Sequence, residues 1–361
     1  YWFGTVGQNY TLYTTSSEGK IGNPDLTWER AKKMNIGIDL SLWNDRIKLT
    51  ADYFQEKRDD ILANRGTIPD IVGANLPAYN MGKMENKGFD GEITFRDHIG
   101  PFNYWLRGIF TFARNEIKFM DESNKLYAYQ KRTGHRLNQY FGYIAEGFYN
   151  TWEEVNDINR PESMYNNNKI QPGDVKYKDV NGDGIINTYD QVPIGYSDFP
   201  EISYGISLGG DIKGFDFSIL FQGSSHVSFR ASKKSNRGFQ EDGSAVDYLK
   251  DYSWTPERYA NGDEIKFPHL SANASQEHNY QASSLWIRDA SYLRLKNVEI
   301  GYTFSGKILK KIGLDSARIY VNGTNLVTWC DLFPGEDPEI PTYNDGNYEP
   351  YPIVKTVNMG L

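Results

Sequence analysis

The chain has 361 residues, 15% of them aromatic, and a formal net charge of −8 at pH 7. This length allows one large core or two ordinary domains, and an acidic chain without a basic stripe is not expected to bind nucleic acid. The single cysteine, Cys330, excludes a disulfide framework and a cysteine metal cluster. No run of about 18 apolar residues is present, so the sequence predicts no transmembrane helix. Residues 1–4 lack signal-peptide features, and we expect the chain to be part of a longer polypeptide.

The first predicted element is a β-hairpin over residues 31–43 and 46–57. Both arms alternate apolar and polar side chains with a period of two, and Asn44 and Asp45 supply a tight turn. The apolar positions are Ile36, Ile38, Leu40 and Leu42 on the first arm and Ile47, Leu49, Ala51 and Tyr53 on the second. One face of this hairpin is therefore apolar and the other polar.

The same pattern of two alternating strands occurs three more times along the chain. The predicted arms cover residues 89–96 and 102–112, residues 202–208 and 215–221, and residues 291–304 and 317–328. In the last pair the apolar phase changes between Leu295 and Val298, which predicts a β-bulge near Lys296 and Asn297. A terminal strand from Tyr351 to Leu361 brings the predicted number of strands to nine.

Long connections separate these hairpins. The sequence predicts irregular segments at about residues 58–86, 116–200, 224–284 and 329–350. Short helices are expected near residues 245–252 and 307–312, the second ending at Gly313. Connections this long are uncommon in compact domains and are often functional.

Short turns at one end and long connections at the other are typical of a transmembrane β-barrel. The predicted fold class is therefore all-β, with antiparallel transmembrane strands and long extracellular loops. An odd number of crossings that begins in an outer loop ends in the periplasm. A soluble sandwich or solenoid is the alternative, because its strands also alternate. The aromatic outward faces favour the membrane, since in water they would promote aggregation.

Within the predicted loop over residues 116–200, the segment 179–190 spaces oxygen-bearing groups as a calcium-binding loop does. The predicted ligands are Asp179, Asn181, Asp183, Ile185 through its backbone carbonyl, Asn187 and Asp190. Gly184 falls where such a loop turns sharply, whereas Asp190 stands where an EF-hand has a bidentate glutamate. We expect a structural Ca²⁺ that orders the loop. A turn rich in Asp and Asn, with no ion, is the alternative.

No convincing catalytic group is present, and the chain is not expected to be an enzyme. Gly205 to Gly209 matches the nucleophile pattern G-x-S-x-G, but Ser207 lies in mid-strand rather than on a strand-to-helix turn. The histidines, none of them at a metal-binding spacing, are His98, His135, His226, His269 and His278. Aromatic residues of the long loops either stack on sugars or a partner or anchor the loops; they include Tyr140, Phe141, Tyr143, Phe148, Tyr149, Trp152, Tyr252 and Trp254.

Six segments, in order along the chain, share the sequence features of one family. They are Asn23–Glu29 (NPDLTWE), Gly82–Gly88 (GKMENKG), Gly173–Tyr177 (GDVKY), Ala290–Asn297 (ASYLRLKN), Asn325–Trp329 (NLVTW) and Asp337–Glu339 (DPE). These segments resemble the C-terminal part of SusC/RagA-family TonB-dependent outer-membrane transporters. The resemblance spans essentially the whole chain.

The resemblance implies that residues 1–361 are the C-terminal portion of a barrel of roughly 22 strands, whose plug and N-terminal strands lie outside this chain. It implies a location in bacterial outer-membrane lipid and import of oligosaccharides or peptides, with energy received from the TonB complex through the absent N-terminal region. It also implies a SusD-like surface lipoprotein over loops 116–200 and 224–290. The residues that bind cargo are not indicated.

Two other classes of protein remain as alternatives. A secreted, dockerin-like calcium-binding module would explain residues 179–190, although dockerins pair two such loops with helices and here strands flank one loop. A β-rich hydrolase would need a catalytic constellation that the sequence does not present.

Overall fold

The computed structural model describes residues 22–67, 76–165, 169–231, 236–239, 244–272, 278–305, 313–340, 351 and 353–361. The strands are β1 (Arg30–Leu42), β2 (Ile47–Ala63), β3 (Tyr79–Ile99), β4 (Phe102–Phe119), β5 (Phe141–Gly142), β6 (Ala145–Phe148), β7 (Glu162–Ser163), β8 (Val175–Tyr177), β9 (Ile185–Ile186), β10 (Val192–Pro193), β11 (Ile202–Ile212), β12 (Phe215–Ser225), β13 (Ser228–Arg230), β14 (Ile287–Asp289), β15 (Tyr292–Ser305), β16 (Ser316–Cys330) and β17 (Thr356–Gly360). The helices are α1 (Trp152–Val155), α2 (Asp247–Tyr252) and α3 (Pro256–Asn261), with single 3₁₀ turns at Ala128–Gln130 and Thr188–Asp190. None of the described helices is long and apolar enough to cross a bilayer.

Nine strands form one antiparallel sheet in the order β1-β2-β3-β4-β11-β12-β15-β16-β17. Neighbours in the sheet are also consecutive long strands of the chain, so the predicted number and order are confirmed. Tight turns join the hairpins at one end. In the β11–β12 turn, Lys213 and Gly214 both have positive φ, at 48° and 92°, as a type I′ hairpin turn requires. The strands β1 and β17 are the two edges of the described sheet, which does not close on itself.

Apolar side chains of neighbouring strands lie opposite one another and form continuous rows across the sheet. One row passes through Leu40, Leu49, Ile93, Gly108, Ile206, Phe221, Leu295 and Val327. These rows are open to the surroundings, with Leu40 44%, Ile93 50% and Ile206 47% exposed. No second layer of the described chain covers them. The alternation therefore marks an outward apolar belt rather than a protein core, as the sequence predicts.

Two strands are longer than their hydrophobic pattern predicts. The segment 58–86 was predicted to be irregular, but β2 continues to Ala63 and β3 begins at Tyr79. Charged pairs accompany this extension: Arg58 pairs with Glu56 and Glu29, each at 2.6 Å. The period of two is lost here, because Ile61, Leu62 and Ala63 are consecutive apolar residues. Ladder hydrogen bonds do not depend on that alternation, so the strands continue beyond the apolar belt.

The predicted irregularities are mostly confirmed. The β15–β16 ladder shifts register between Leu295 and Asn297, which is the predicted bulge. Helix α2 lies within the predicted residues 245–252. The helical turn predicted at 307–312 falls outside the described residues. The terminal strand is shorter than predicted, since Tyr351 lies before it and β17 begins at Thr356.

Candidate functional site

The long connections fold into a layer at the end of the sheet opposite the tight turns. We name this layer the cap and define it as the described residues within 120–201, 226–291 and 331–340. Its main core cluster comprises Val227, Phe229, Ala231, Leu249, Phe267, Trp286, Ala290 and Phe333. A second cluster comprises Tyr143, Val175, Tyr177 and Ile186, and Leu285 packs against both. The core of the described chain thus lies in the cap, and it joins segments from all three connections.

Most of the loop aromatics singled out in the sequence anchor the cap. Tyr143, Tyr149 and Trp254 are at most 6% exposed. The indole nitrogen of Trp254 donates a hydrogen bond to Asn150 at 3.1 Å, which ties the second connection to the first. Trp152, in contrast, is 58% exposed. Of these four residues, only Trp152 presents a ring that a sugar or a partner protein could contact.

One ion cluster closes the connection between β4 and β11 at its base. The carboxylate of Glu201, 4% exposed, accepts hydrogen bonds from Arg114 Nε and Nη2 at 2.9 and 2.8 Å and another from Arg136. His226 Nδ1 lies 3.2 Å from the same carboxylate. Burial alone would raise the pKa of Glu201, but the two guanidinium groups outweigh it and hold the pKa at about 2. We name this group the Glu201 cluster.

A second ion cluster fastens residues 331–340 to the polar face of the sheet. Arg294, 1% exposed, donates to both oxygens of Asp337 at 2.8 and 2.9 Å and to Glu339 at 2.6 Å. Tyr292 and Lys296 also donate to Glu339, at 2.8 and 3.0 Å. Burial would raise the pKa of Glu339, but these partners hold it below its usual range. This Arg294 cluster joins two of the segments that carry the family resemblance.

A third polar network lies inside the cap. Asp174, 1% exposed, accepts hydrogen bonds from His269 at 3.0 Å and Asn279 at 2.7 Å. Burial would lower the pKa of His269, yet the carboxylate beside it raises the pKa. His278 lies nearby with Nε2 2.7 Å from the Val175 carbonyl, and burial lowers its pKa. These histidines connect segments of the cap through hydrogen bonds.

The calcium-like segment is a tight series of turns in which the acidic side chains accept backbone N–H groups. Asp179 accepts from Gly182 and Gly184 at 2.7 and 2.8 Å, and both glycines have positive φ. The other carboxylates and amides of the segment bond as follows: Asn181 accepts from Asp183, Asp183 from Ile185, and Asn187 from Tyr189.

Asp190 behaves differently from the other residues of this segment. It is fully buried, and its two oxygens accept from Val180 at 2.8 Å and from Asn187 at 2.9 Å. No three Asp, Glu, His or Cys side chains converge on one point within the described residues. The short strands β8 and β10 flank the segment, which itself contains β9 and a 3₁₀ turn, and these are not the helices of a dockerin. The calcium site remains a prediction.

The polar face of the sheet carries the other charged pairs. Arg107 pairs with Glu92 at 2.6 Å, and Arg318 bridges Glu299 at 2.8 Å and Asp216. Ser207 lies in mid-ladder, opposite Leu220 and Arg107, without the sharp turn that a nucleophile needs. This face consists of hydrogen-bonding groups, and it would line the lumen of a closed barrel.

Comparison with known proteins supplies the family. A family model described as TonB dependent receptor-like, beta-barrel matches residues 3–194. TonB-dependent receptor P3 of Formosa agariphila is 29% identical, covering 94% of this chain and 34% of the relative. TonB-dependent receptor SusC of Bacteroides thetaiotaomicron is 27% identical, covering 97% of this chain and 33% of the relative. The chain thus spans about a third of the length of these curated relatives.

Solved structures share the fold. The structure of the RagAB peptide transporter superposes with a TM-score of 0.70 at 20% identity, covering 94% of this chain and 35% of that chain. The RagAB peptide importer in its closed-closed state gives 0.67 at 21% identity, with the same coverage. TonB-dependent receptors are not enzymes, which agrees with the mid-strand position of Ser207. The nine-stranded sheet, its outward apolar belt and the matching family model together show that this chain belongs to the TonB-dependent receptor-like β-barrel family of the bacterial outer membrane.

Proposed function

We propose that the protein to which this chain belongs imports oligosaccharides or peptides across the outer membrane, with energy supplied through TonB. The observation that carries the proposal is the division of the chain into two parts. One is the nine-stranded sheet with its outward apolar belt, which we name the wall, and the other is the folded cap. The wall presents a polar face with paired charges, such as Arg107 with Glu92, toward what would be the lumen. A pore lined in this way suits hydrophilic cargo too large for passive diffusion.

Uptake in the native host tests this function. Cells that lack the full-length receptor are expected to lose uptake of either labelled oligosaccharides or labelled peptides, and loss of TonB should have the same effect. Reintroducing the receptor alone should restore uptake. Unchanged uptake of both cargo classes in the receptor-deficient cells would contradict the proposal, and selective loss of one class identifies the cargo.

We also propose that a SusD-like surface lipoprotein covers the cap. One segment of the cap exposes three large apolar side chains, with Trp152 58%, Ile158 95% and Met164 67% exposed. Such exposure of three large apolar side chains in one folded segment suits a protein partner. In mild detergent the full-length receptor should therefore co-purify with the lipoprotein in equal amounts, and recovery of the receptor alone would contradict the proposal.

Variants of this segment sharpen the test. Ile158→Asp combined with Met164→Asp should reduce the recovered lipoprotein about tenfold or more, since two buried apolar contacts of an interface are lost. Leu126→Asp is the matched control, because Leu126 is 69% exposed in a separate segment of the cap. Equal recovery with both variants would exclude this segment as the contact.

A structural Ca²⁺ in residues 179–190 is a further proposal. Its support is the spacing of Asp179, Asn181 and Asp183 together with the positive φ of Gly184, 81°. A hard cation bound there would neutralise these side chains and stiffen the connection between β4 and β11. The buried Asp190 already holds the backbone, so the exposed members of the segment would supply most ligands.

Limited proteolysis with and without chelator tests the ion. At free Ca²⁺ about ten times its Kd, cleavage within residues 120–200 should be about tenfold slower than in chelator. Asp179→Ala combined with Asp183→Ala should abolish the difference. Asp157→Ala is the control, because Asp157 forms a turn in the same connection by accepting from Asn159 at 2.9 Å. Identical cleavage patterns with and without Ca²⁺ would count against the site.

A further inference from the structure

Basic side chains lie on the outward face of the sheet just beyond its apolar belt, on the cap side. Lys32 stands directly opposite Lys57 in the β1–β2 ladder, and Lys87 lies one strand further, opposite Gln55. All three lysines are exposed. Like charges directly opposite each other destabilise a sheet, so this arrangement is unfavourable unless an anion lies between them.

The neighbouring carboxylates neutralise this group of lysines only in part. Glu85, opposite Lys57, accepts a hydrogen bond from Gln55 and pairs with Lys118 at 3.3 Å. Lys118 also pairs with Glu116, at 2.7 Å. The outward patch therefore holds four cations and two anions and is net positive. Its members are Lys32, Lys57, Lys87, Lys118, Glu85 and Glu116.

The depth of the lysines follows from the residues beside them. Tyr53 lies four positions from Lys57 on β2, and Phe89 lies two positions from Lys87 on β3. These two aromatic residues stand opposite each other, and Phe112 continues the row on β4. The rings of Phe89 and Phe112 are 5.6 Å apart. Aromatic rows of this kind mark the membrane–water interface of outer-membrane barrels. Lys57 and Lys87 thus lie at the level of the lipid headgroups.

We propose that Lys32, Lys57 and Lys87 bind the phosphate groups of a phosphorylated lipid in the outer leaflet. The acyl chains would lie along the apolar belt beside Ile36 and Tyr53, while the ammonium groups hold the headgroup. Lysine suits this task because its compact charge needs no fixed orientation toward phosphate. Polybasic surfaces gain attraction to anionic lipid with each added cation. The site lies on the outside of the wall, so it is independent of cargo and of the lumen.

Lipid binding to the full-length receptor tests the site. Receptor in neutral detergent is titrated with diphosphoryl lipid A, and bound lipid is counted by native mass spectrometry. Binding should be about 100-fold weaker in the triple variant that combines Lys32→Gln, Lys57→Gln and Lys87→Gln. The matched control replaces three exposed cap lysines, Lys125, Lys131 and Lys176, by glutamine and should bind like the natural protein.

Two further arms identify the ligand chemistry. Dephosphorylated lipid A should bind the natural receptor as weakly as diphosphoryl lipid A binds the triple variant. Inorganic phosphate at millimolar concentration should not displace the lipid, since it lacks acyl chains for the belt. Equal affinity of the natural receptor and the triple variant for diphosphoryl lipid A would overturn the proposal, as would displacement by inorganic phosphate alone.

Discussion

Replacement of Arg294 by glutamine is expected to release residues 331–340 from the sheet. Arg294 is 1% exposed and is the side-chain cation that contacts both oxygens of Asp337. Removing one partner from a buried ion pair leaves an uncompensated charge and costs about 3 to 5 kcal/mol. Lys296 still reaches Glu339, at 3.0 Å, so the loss centres on Asp337. Hydrogen exchange of residues 331–340 in the full-length receptor measures this local free energy.

Arg318→Gln is the matched control for this substitution. Arg318 also contacts two carboxylates, Asp216 and Glu299, but its side chain is 34% exposed. Partly hydrated ion pairs contribute little to stability, so the control should leave the protection of residues 331–340 close to that of the natural protein. Asp337→Asn combined with Arg294→Gln should cost less than the sum of the two single changes, because the two residues share one interaction. Unchanged protection of residues 331–340 in Arg294→Gln would show that the cluster does not hold this segment.

The strands of the sheet could be predicted because the membrane imposes its pattern on neighbouring residues. Along each strand between Ile36 and Tyr53, successive residues face lipid and lumen in turn. The register of β1 and β2 keeps their apolar residues on the same side of the sheet. The same reasoning found the bulge at Lys296 from the change of phase alone. It failed for the strand extension beyond Lys57, where charged pairs replace the apolar alternation.

The cap could not be predicted in the same way, because its contacts join residues far apart in sequence. Glu201 is 87 residues from Arg114, and Asp337 is 43 from Arg294. Neither pair has a local pattern, although the family resemblance includes both Arg294 and Asp337. Local signals did exist for α2, which was predicted, and for α3, which was missed. Thr255 caps this helix, Pro256 begins it, and Gly262 ends it with φ of 72°.

Acidification is expected to weaken the base of the connection between β4 and β11 through Glu201. The pKa of this carboxyl is about 2 in the folded chain, against about 4.3 in an unfolded one. A depressed pKa contributes stability above the unfolded value, and that contribution disappears as pH falls through the folded value. The difference corresponds to about 3 kcal/mol, fully present at pH 7 and lost progressively between about pH 5 and pH 2.

Glu201→Gln should remove this dependence because glutamine does not titrate. Protection of residues 116–200 from hydrogen exchange should already be reduced at pH 7 in the variant and should change little on acidification. Arg114 and Arg136 would keep only a neutral acceptor in place of the carboxylate, which each contacts in the natural protein. Glu146→Gln, an exposed change in the same connection, should follow the natural protein at every pH. Constant protection of the natural protein from pH 7 to pH 2.5 would show that the Glu201 cluster does not close the connection. The connection would then depend on its apolar core around Tyr143 and Val175.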